Sequence, residues 1–108
     1  MFKDLGNMAN ILKQAQQMQE KVRQVQDELK SKVVEGSAGG GMVRASVNGQ
    51  QQLVSLKIEK EVVDPEDVQM LEDLVLAAVS QGLDKSRDLA KDEFMKITGG
   101  LNLPGLMP

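Results

Sequence analysis

The chain predicts an α+β fold in the order α-β-β-β-α, with a small antiparallel sheet and two long helices that form the projecting arms of a homodimer. Three observations carry this prediction. Residues 33–63 read as short runs in which apolar and polar side chains alternate, the period of half-buried strands. Residues 8–33 repeat apolar positions every three and four places, and residues 65–98 do so again behind an Asp-Pro start signal. At 108 residues the length fits a single domain, 1–108.

The first helix is expected over residues 8–33, with Asn7 after Gly6 as its cap. Met8, Ile11, Ala15, Met18, Val22, Val25 and Leu29 form a narrow heptad seam, as in a coiled coil. Gln14, Gln16, Gln17, Gln19, Gln24 and Gln26 fill its flanks, and its length would be about 39 Å. Strands follow at about 33–38, 42–48 and 52–60. Val34, Gly36 and Ala38 give the first strand an apolar face, Gly39, Gly40 and Gly41 turn the chain, and Val43, Ala45 and Val47 face the same way as Val54, Leu56 and Ile58. Asn48-Gly49 is the pair favoured in a type I′ turn. A two-residue turn there would set Ala45 and Val47 opposite Gln52 and Gln50. A four-residue loop over 48–51 is therefore expected, pairing Val43 with Leu56 and Ala45 with Val54.

The second helix is expected over residues 65–98, about 51 Å long, with Asp64 as cap, Pro65 in the first helical position, and Glu66 and Asp67 against the positive end of the dipole. Residues 68–79 carry the broadest apolar stripe and should lie deepest. Gly82 reads as a close-packing point, Gly99-Gly100 stops the helix, and residues 99–108 form a flexible tail. Three short strands cannot cover either helix along its length. The helices should therefore run antiparallel and seal each other's seams. Phe2 and Phe94 are the only aromatic residues, so the core is poor in bulk and a second copy of the chain is the natural remedy.

Little chemistry is on offer. The chain has neither His nor Cys, which removes the common metal ligands, nucleophile partners and proton shuttles and suits a cytosolic setting. Glu66, Asp67, Glu72 and Asp73 read as acids that complement a helix dipole rather than as a metal site. Gly36 and Gly39 to Gly41 lack the Lys-Ser/Thr of a phosphate loop and read as turn glycines. Asp84, Asp88 and Asp92 interleave with Arg87, Lys91 and Lys96 as an ion-paired helix surface. No cofactor, metal, small-molecule substrate or membrane association is expected, and no catalytic residue.

Charge is uneven. The net value is −3, but residues 1–57 carry eight basic against five acidic residues and residues 58–108 five against eleven. Any nucleic-acid contact must therefore use a local patch. Gln16, Arg23 and Lys30 recur one heptad apart on the outer face of the first helix, with Lys13 and Lys21 on neighbouring rows, a thin basic strip suited to phosphates. Without aromatics beside it, base stacking is excluded.

The run GGGMVRASVNGQQQLVSLKIEKEVVDPEDVQMLEDLVLAAV, with KQAQQMQEKVRQVQDEL before it and ITGGLNLPGL after it, resembles the YbaB/EbfC family of small bacterial nucleoid-associated proteins. The most specific parts are Asn48-Gly49, Asp64-Pro65 followed by Leu71-Glu72-Asp73-Leu74, and Gly99-Gly100 with Leu103-Pro104-Gly105. The resemblance implies a homodimer joined through its sheet region, with tweezer-like helical arms that bind double-stranded DNA in the cytoplasm and nucleoid, without catalysis. It places DNA contacts on the arms, for which Lys13, Lys21, Arg23 and Lys30 are the candidates, and Lys85, Arg87 and Lys91 the second set. A different class of function is also open. A hairpin between two coiled-coil helices resembles prefoldin-type chaperone subunits, and the Met-rich ends of this chain, Met1 to Met8 and Leu101 to Pro108, could hold apolar partners.

Overall fold

A computed structural model describes the backbone of residues 2–98 and the side chains of residues 6–97; the tail expected at 99–108 lies outside the described residues. The elements run α1 (Phe2–Ser31), β1 (Val33–Ala38), β2 (Val43–Asn48), β3 (Leu53–Ile58), a single 3-10 turn (Lys60–Val62) and α2 (Val68–Thr98). The strands make one antiparallel sheet with β2 in the middle. The molecule is extended, 77 × 20 × 17 Å.

Both helix starts differ from the sequence expectation. α1 runs through Gly6 and Asn7, so Asn7 caps nothing. One glycine costs a helix about 1 kcal/mol, too little to stop one of 30 residues. α2 begins at Val68 rather than Pro65. Asp64 accepts from the Glu66 N–H through its side chain and from the Asp67 N–H through its carbonyl, both at 3.0 Å, so Asp64-Pro65-Glu66-Asp67 is a turn. The helix cap is Asp67, whose Oδ1 accepts from the Met70 N–H at 3.2 Å.

The β2-β3 hairpin also departs from expectation. Val43 pairs with Ile58 and Ala45 with Leu56, a shift of two places from the anticipated register, and Val54 is the extra residue of a bulge between Ser46 and Val47. Neither Asn48 nor Gly49 has positive φ; Gln51 does, at 63°. Its N–H donates to the Asn48 carbonyl at 3.0 Å, and the Asn48 N–H donates to the Gln52 carbonyl at 2.9 Å, closing a three-residue loop with a left-handed third residue. The Asn48 side chain decides this geometry, since its Oδ1 accepts from the Gln50 and Gln52 N–H groups at 3.0 and 3.1 Å. At the other turn, Gly39, Gly40 and Gly41 all take the left-handed φ that glycine permits.

The core lies where α2 crosses β1 and β2. Val43, Ala45 and Val47 point into it with no exposed surface. The helix meets this core with Ala78 and Gly82, at the start of a row of buried residues every four places that continues through Ser86, Ala90 and Phe94. Residues 68–79 are therefore not the deepest part of α2: among them only Ala78 is buried, while Leu76 is 66% exposed. Small side chains, not large ones, let the helix approach. A Cβ at Gly36 would collide with the Ala78 carbonyl oxygen and the Gly82 backbone nitrogen, so strand and helix touch backbone to backbone.

α1 joins α2 at one end only. Leu29, Ala90 and Phe94 form a second buried cluster, flanked by Val22, Val25, Leu89 and Ile97. The two helices are antiparallel and seal each other's seams only there. The first ~20 residues of α1 extend about 30 Å past the end of α2, with Met8, Ile11 and Leu12 60–63% exposed.

Two substitutions separate backbone from side-chain crowding. Gly36→Ala should cost about 3 kcal/mol or more, because the obstructing atoms are main chain. Gly82→Ala should cost less, since its nearest neighbour is the Val47 side chain at 2.7 Å and alanine regains about 1 kcal/mol of helix propensity. Urea denaturation of both variants should give that order, and a reversed order would contradict it.

Candidate nucleic-acid interface

The basic residues expected to meet DNA all lie on α1, and Lys13, Lys21, Arg23 and Lys30 are all exposed. Helical geometry does not gather them into one strip. At 3.6 residues per turn Arg23 and Lys30 share a flank, about 20° apart, whereas Lys21 lies on the opposite flank and Lys13 roughly midway between. The seam of Ile11 and Leu29 faces away from Lys13. The four cations thus surround the part of the helix that the seam leaves open, and a helix so decorated can meet phosphates on both sides of a groove. Glu20, Asp27 and Glu28 share this exposed surface and moderate its charge.

Ionic pairing separates this set from the second one. Among the described residues, none of the four has a carboxylate within ion-pair distance, whereas Arg87 Nη1 lies 2.8 Å from Asp84 Oδ1. Lys85 Nζ donates to the Glu35 carbonyl at 2.8 Å. Lys91 is exposed among Asp88 and Asp92. Lys96 Nζ sits 3.3 Å from Glu93 Oε1.

The direction of α1 is fixed by a joint that the sequence reading did not single out. The Gly49 N–H donates to the carbonyls of Leu29 and Lys32 at 2.8 and 2.9 Å, capping the carboxyl end of the helix with the hairpin loop. A Cβ at Gly49 would come within 2.6 Å of the Leu29 side chain, so glycine is needed here for close approach rather than for its φ. Gln50 Nε2 donates to the Gln26 carbonyl at 2.8 Å. Buried Ser86 holds the loop from the other side: its Oγ donates to the Asn48 carbonyl at 2.6 Å and accepts from the Gln51 N–H at 3.2 Å. Ser86 was detectable in principle, as the polar member of the small-residue row on α2. Lys32 Nζ closes the joint on Glu93 Oε1 at 2.9 Å.

The described residues contain no group of three or more acidic, His or Cys side chains placed to hold a metal. None of their helices is long and apolar enough to cross a membrane.

The sequence profile of the YbaB/EbfC DNA-binding family matches residues 4–101. The chain belongs to that family. A nucleoid-associated protein of Caldanaerobacter subterraneus subsp. tengcongensis is 56% identical over 100 residues, covering 93% of this chain and 90% of that one. One from Clostridium kluyveri is 52% identical over 101 residues, covering 94% and 89%. The crystal structure of an uncharacterized protein from Helicobacter pylori, HP0035, shares the fold, with a TM-score of 0.69 at 24% identity over 92% of this chain and 98% of that one. In this YbaB/EbfC chain the hairpin, α2 and the root of α1 are tied together by these hydrogen bonds and the Lys32–Glu93 ion pair.

Glu93 reports on that junction. Hydrogen bonding to Lys32 holds its carboxyl below the ordinary glutamate value, against the opposing effect of burial, with Lys96 assisting. A lowered folded-state pKa contributes stability that is present above the unfolded value of about 4.3 and is lost as pH falls through the folded value. Urea melts at pH 7 and pH 3 should therefore show a smaller acid-induced loss for Glu93→Gln than for the parent chain. An identical loss would contradict the assignment.

Proposed function

We propose that the chain is a nucleoid-associated, non-enzymatic protein that acts as one domain, pairs into a homodimer and grips duplex DNA through phosphate contacts from α1. The supporting observation is the projecting helix itself, whose Lys13, Lys21, Arg23 and Lys30 are exposed and without ion-pair partners among the described residues. Membership of a DNA-binding family and relatives named as nucleoid-associated proteins support the same reading. They favour a location at the nucleoid in the cytoplasm and a part in nucleoid organisation or gene expression.

Dimerisation is best supported at β3. The outer edge of β1 is occupied by its own chain, since the Ser37 N–H donates to Gln81 Oε1 at 2.8 Å and the Glu35 carbonyl accepts from Lys85. Nothing among the described residues occupies the outer edge of β3, where Leu53, Val54 and Leu56 are exposed. A groove of about 480 Å³ lined by Leu71, Glu72, Val75, Leu76 and Val79 on α2 offers further apolar surface. A second copy covering both would complete the core and present two arms.

Two measurements test this reading. In mobility shifts across ionic strength, affinity for duplex DNA should fall steeply with salt. Arg23→Glu with Lys30→Glu should weaken binding at least tenfold and lower the log-log salt slope by about two, near 0.9 per lost phosphate contact. Unchanged affinity in a folded double variant would remove these residues from the interface. For the dimer, light scattering should give twice the 11.8 kDa chain mass. Leu56→Glu with Leu76→Glu should shift it toward the monomer, and a monomeric parent chain would defeat the arrangement.

A further inference from the structure

We propose that Asn48 is a site of covalent self-modification, losing ammonia to attack by the Gly49 nitrogen, and that the carboxyl end of α1 gates the reaction. Release of α1 from the hairpin loop starts it, and its product leaves α1 released. The chain has four asparagines, of which Asn48 alone is followed by glycine; Asn7, Asn10 and Asn102 precede Met8, Ile11 and Leu103. Closing a succinimide ring brings the next backbone nitrogen onto the side-chain carbon, and a side chain on that next residue obstructs the approach. Glycine does not.

In the folded chain both reacting groups are held. Gly49 is buried, and its N–H, whose proton must leave, donates to the carbonyls of Leu29 and Lys32 at 2.8 and 2.9 Å. Asn48 is 2% exposed; its Oδ1 accepts from the Gln50 and Gln52 N–H groups at 3.0 and 3.1 Å, and its Nδ2 donates to Gln52 Oε1 at 2.8 Å. Both acceptors of the Gly49 proton lie at or just past the end of α1. That helix packs through the cluster of Leu29, Ala90 and Phe94, which is separate from the core around Val43, Ala45 and Ala78. Its root can therefore open while the sheet stays folded, and this local opening exposes the Gly49 N–H to water.

Once exposed, the Gly49 nitrogen loses its proton to solvent and bonds to Asn48 Cγ. The Cγ–Nδ2 bond breaks, and the amide takes up a proton and leaves as ammonia. Water then opens the ring at one of its two carbonyls. Addition at Cγ leaves aspartate at position 48; addition at the former main-chain carbonyl leaves isoaspartate, in which the chain runs through Cβ and Cγ. One water enters, one ammonia departs, and nothing is oxidised or reduced. Aspartate lacks the donor that met Gln52 Oε1 and puts a charge at a buried position. Isoaspartate turns the carbonyl that accepts from Ser86 Oγ into a free carboxylate and sets the Gly49 N–H one carbon further along the chain, so the loop no longer holds Ser86 and caps α1 together. A reversible opening thus becomes permanent. The inference rests on neither the DNA reading nor the dimer.

Peptide mass analysis of the full-length chain, kept in buffer or in urea at one pH, should place a gain of water less ammonia at Asn48, at least tenfold faster in urea. Equal rates would overturn the gate, and a faster gain at Asn7 or Asn10 in urea would overturn the site. Val25→Ala with Lys32→Ala thins the α1 cluster and removes the Lys32–Glu93 pair. This variant should modify at least threefold faster in buffer while residues 43–46 stay protected from hydrogen exchange; Lys32→Ala alone serves where the double variant loses that protection. An unchanged rate in a variant that keeps it would overturn control by α1. Chains modified in urea, returned to buffer and separated from unmodified ones should exchange amides at residues 22–31 at least tenfold faster, with residues 43–46 still protected. Equal exchange at residues 22–31 would overturn the release of the helix.

Discussion

Main chain meets main chain where β1 crosses α2, and the rest of the molecule is arranged around that approach. Gly36 and Gly82 leave no room for a Cβ on the strand and little on the helix. Ala78, Ser86 and Ala90 continue the same thin row along α2. Close approach brings Val43, Ala45 and Val47 of β2 under the helix and lets Ser86 reach the hairpin loop. The loop in turn caps α1 through Gly49. The direction of α1 thus descends, through a few hydrogen bonds, from a row of small residues on the other helix.

Using the small face of α2 for the sheet has a cost elsewhere. The larger side chains Leu71, Val75 and Val79 pack only partly against the core and line a groove with exposed Leu76, and β3 keeps Leu53, Val54 and Leu56 at the surface. The sheet edges are treated unequally: β1 is closed by Gln81 and Lys85, and β3 is not. Isolated exposed leucines need no explanation, but an apolar helix flank in the same small chain as an open strand edge is a surface suited to pairing.

The element order and the antiparallel sheet could be read from the sequence, because periods of two and of about 3.6 are local signals that tertiary contacts did not override. The boundaries were less readable. Asp64-Pro65 has the chemistry of a helix start, yet it forms a turn, and the cap falls to Asp67 three residues on. Asn48-Gly49 pointed to a hairpin, and the Asn48 side chain shapes its loop, but the loop's links to Leu29 and Ser86, distant in sequence, are announced by no local motif. The depth of α2 was misread for a related reason: hydrophobicity identifies what wants burial, whereas Ala78, Gly82 and Ser86 are buried because they are small. Of the candidate site, helical phase shows that Arg23 and Lys30 share a flank. What the sequence could not show is that α1 stands clear of α2 over most of its length.

That separation bears on how a chain of net charge −3 can approach a polyanion. Glu59, Glu61, Asp64, Glu66, Asp67, Glu72 and Asp73 cluster around the start of α2, whereas α1 meets that helix only at Leu89 to Ile97. From Asp73 to Leu89 is about 24 Å of helix, three times the Debye length of about 8 Å at physiological ionic strength. The acids at the base are therefore largely screened from the arm. Nearer to it, Asp84 is engaged with Arg87, and Glu93 with Lys32 and Lys96. On α2, Asp88 and Asp92 are exposed carboxylates close by, with Lys91 between them, and Glu20, Asp27 and Glu28 are exposed on α1 itself. Under the proposed reading, a phosphate at the outer arm would meet the local field of Lys13, Lys21 and Arg23, moderated by Glu20, rather than the charge of the whole protein. The length of α1 would then do what a basic composition does elsewhere: offer a polyanion a surface beyond the reach of the acidic base.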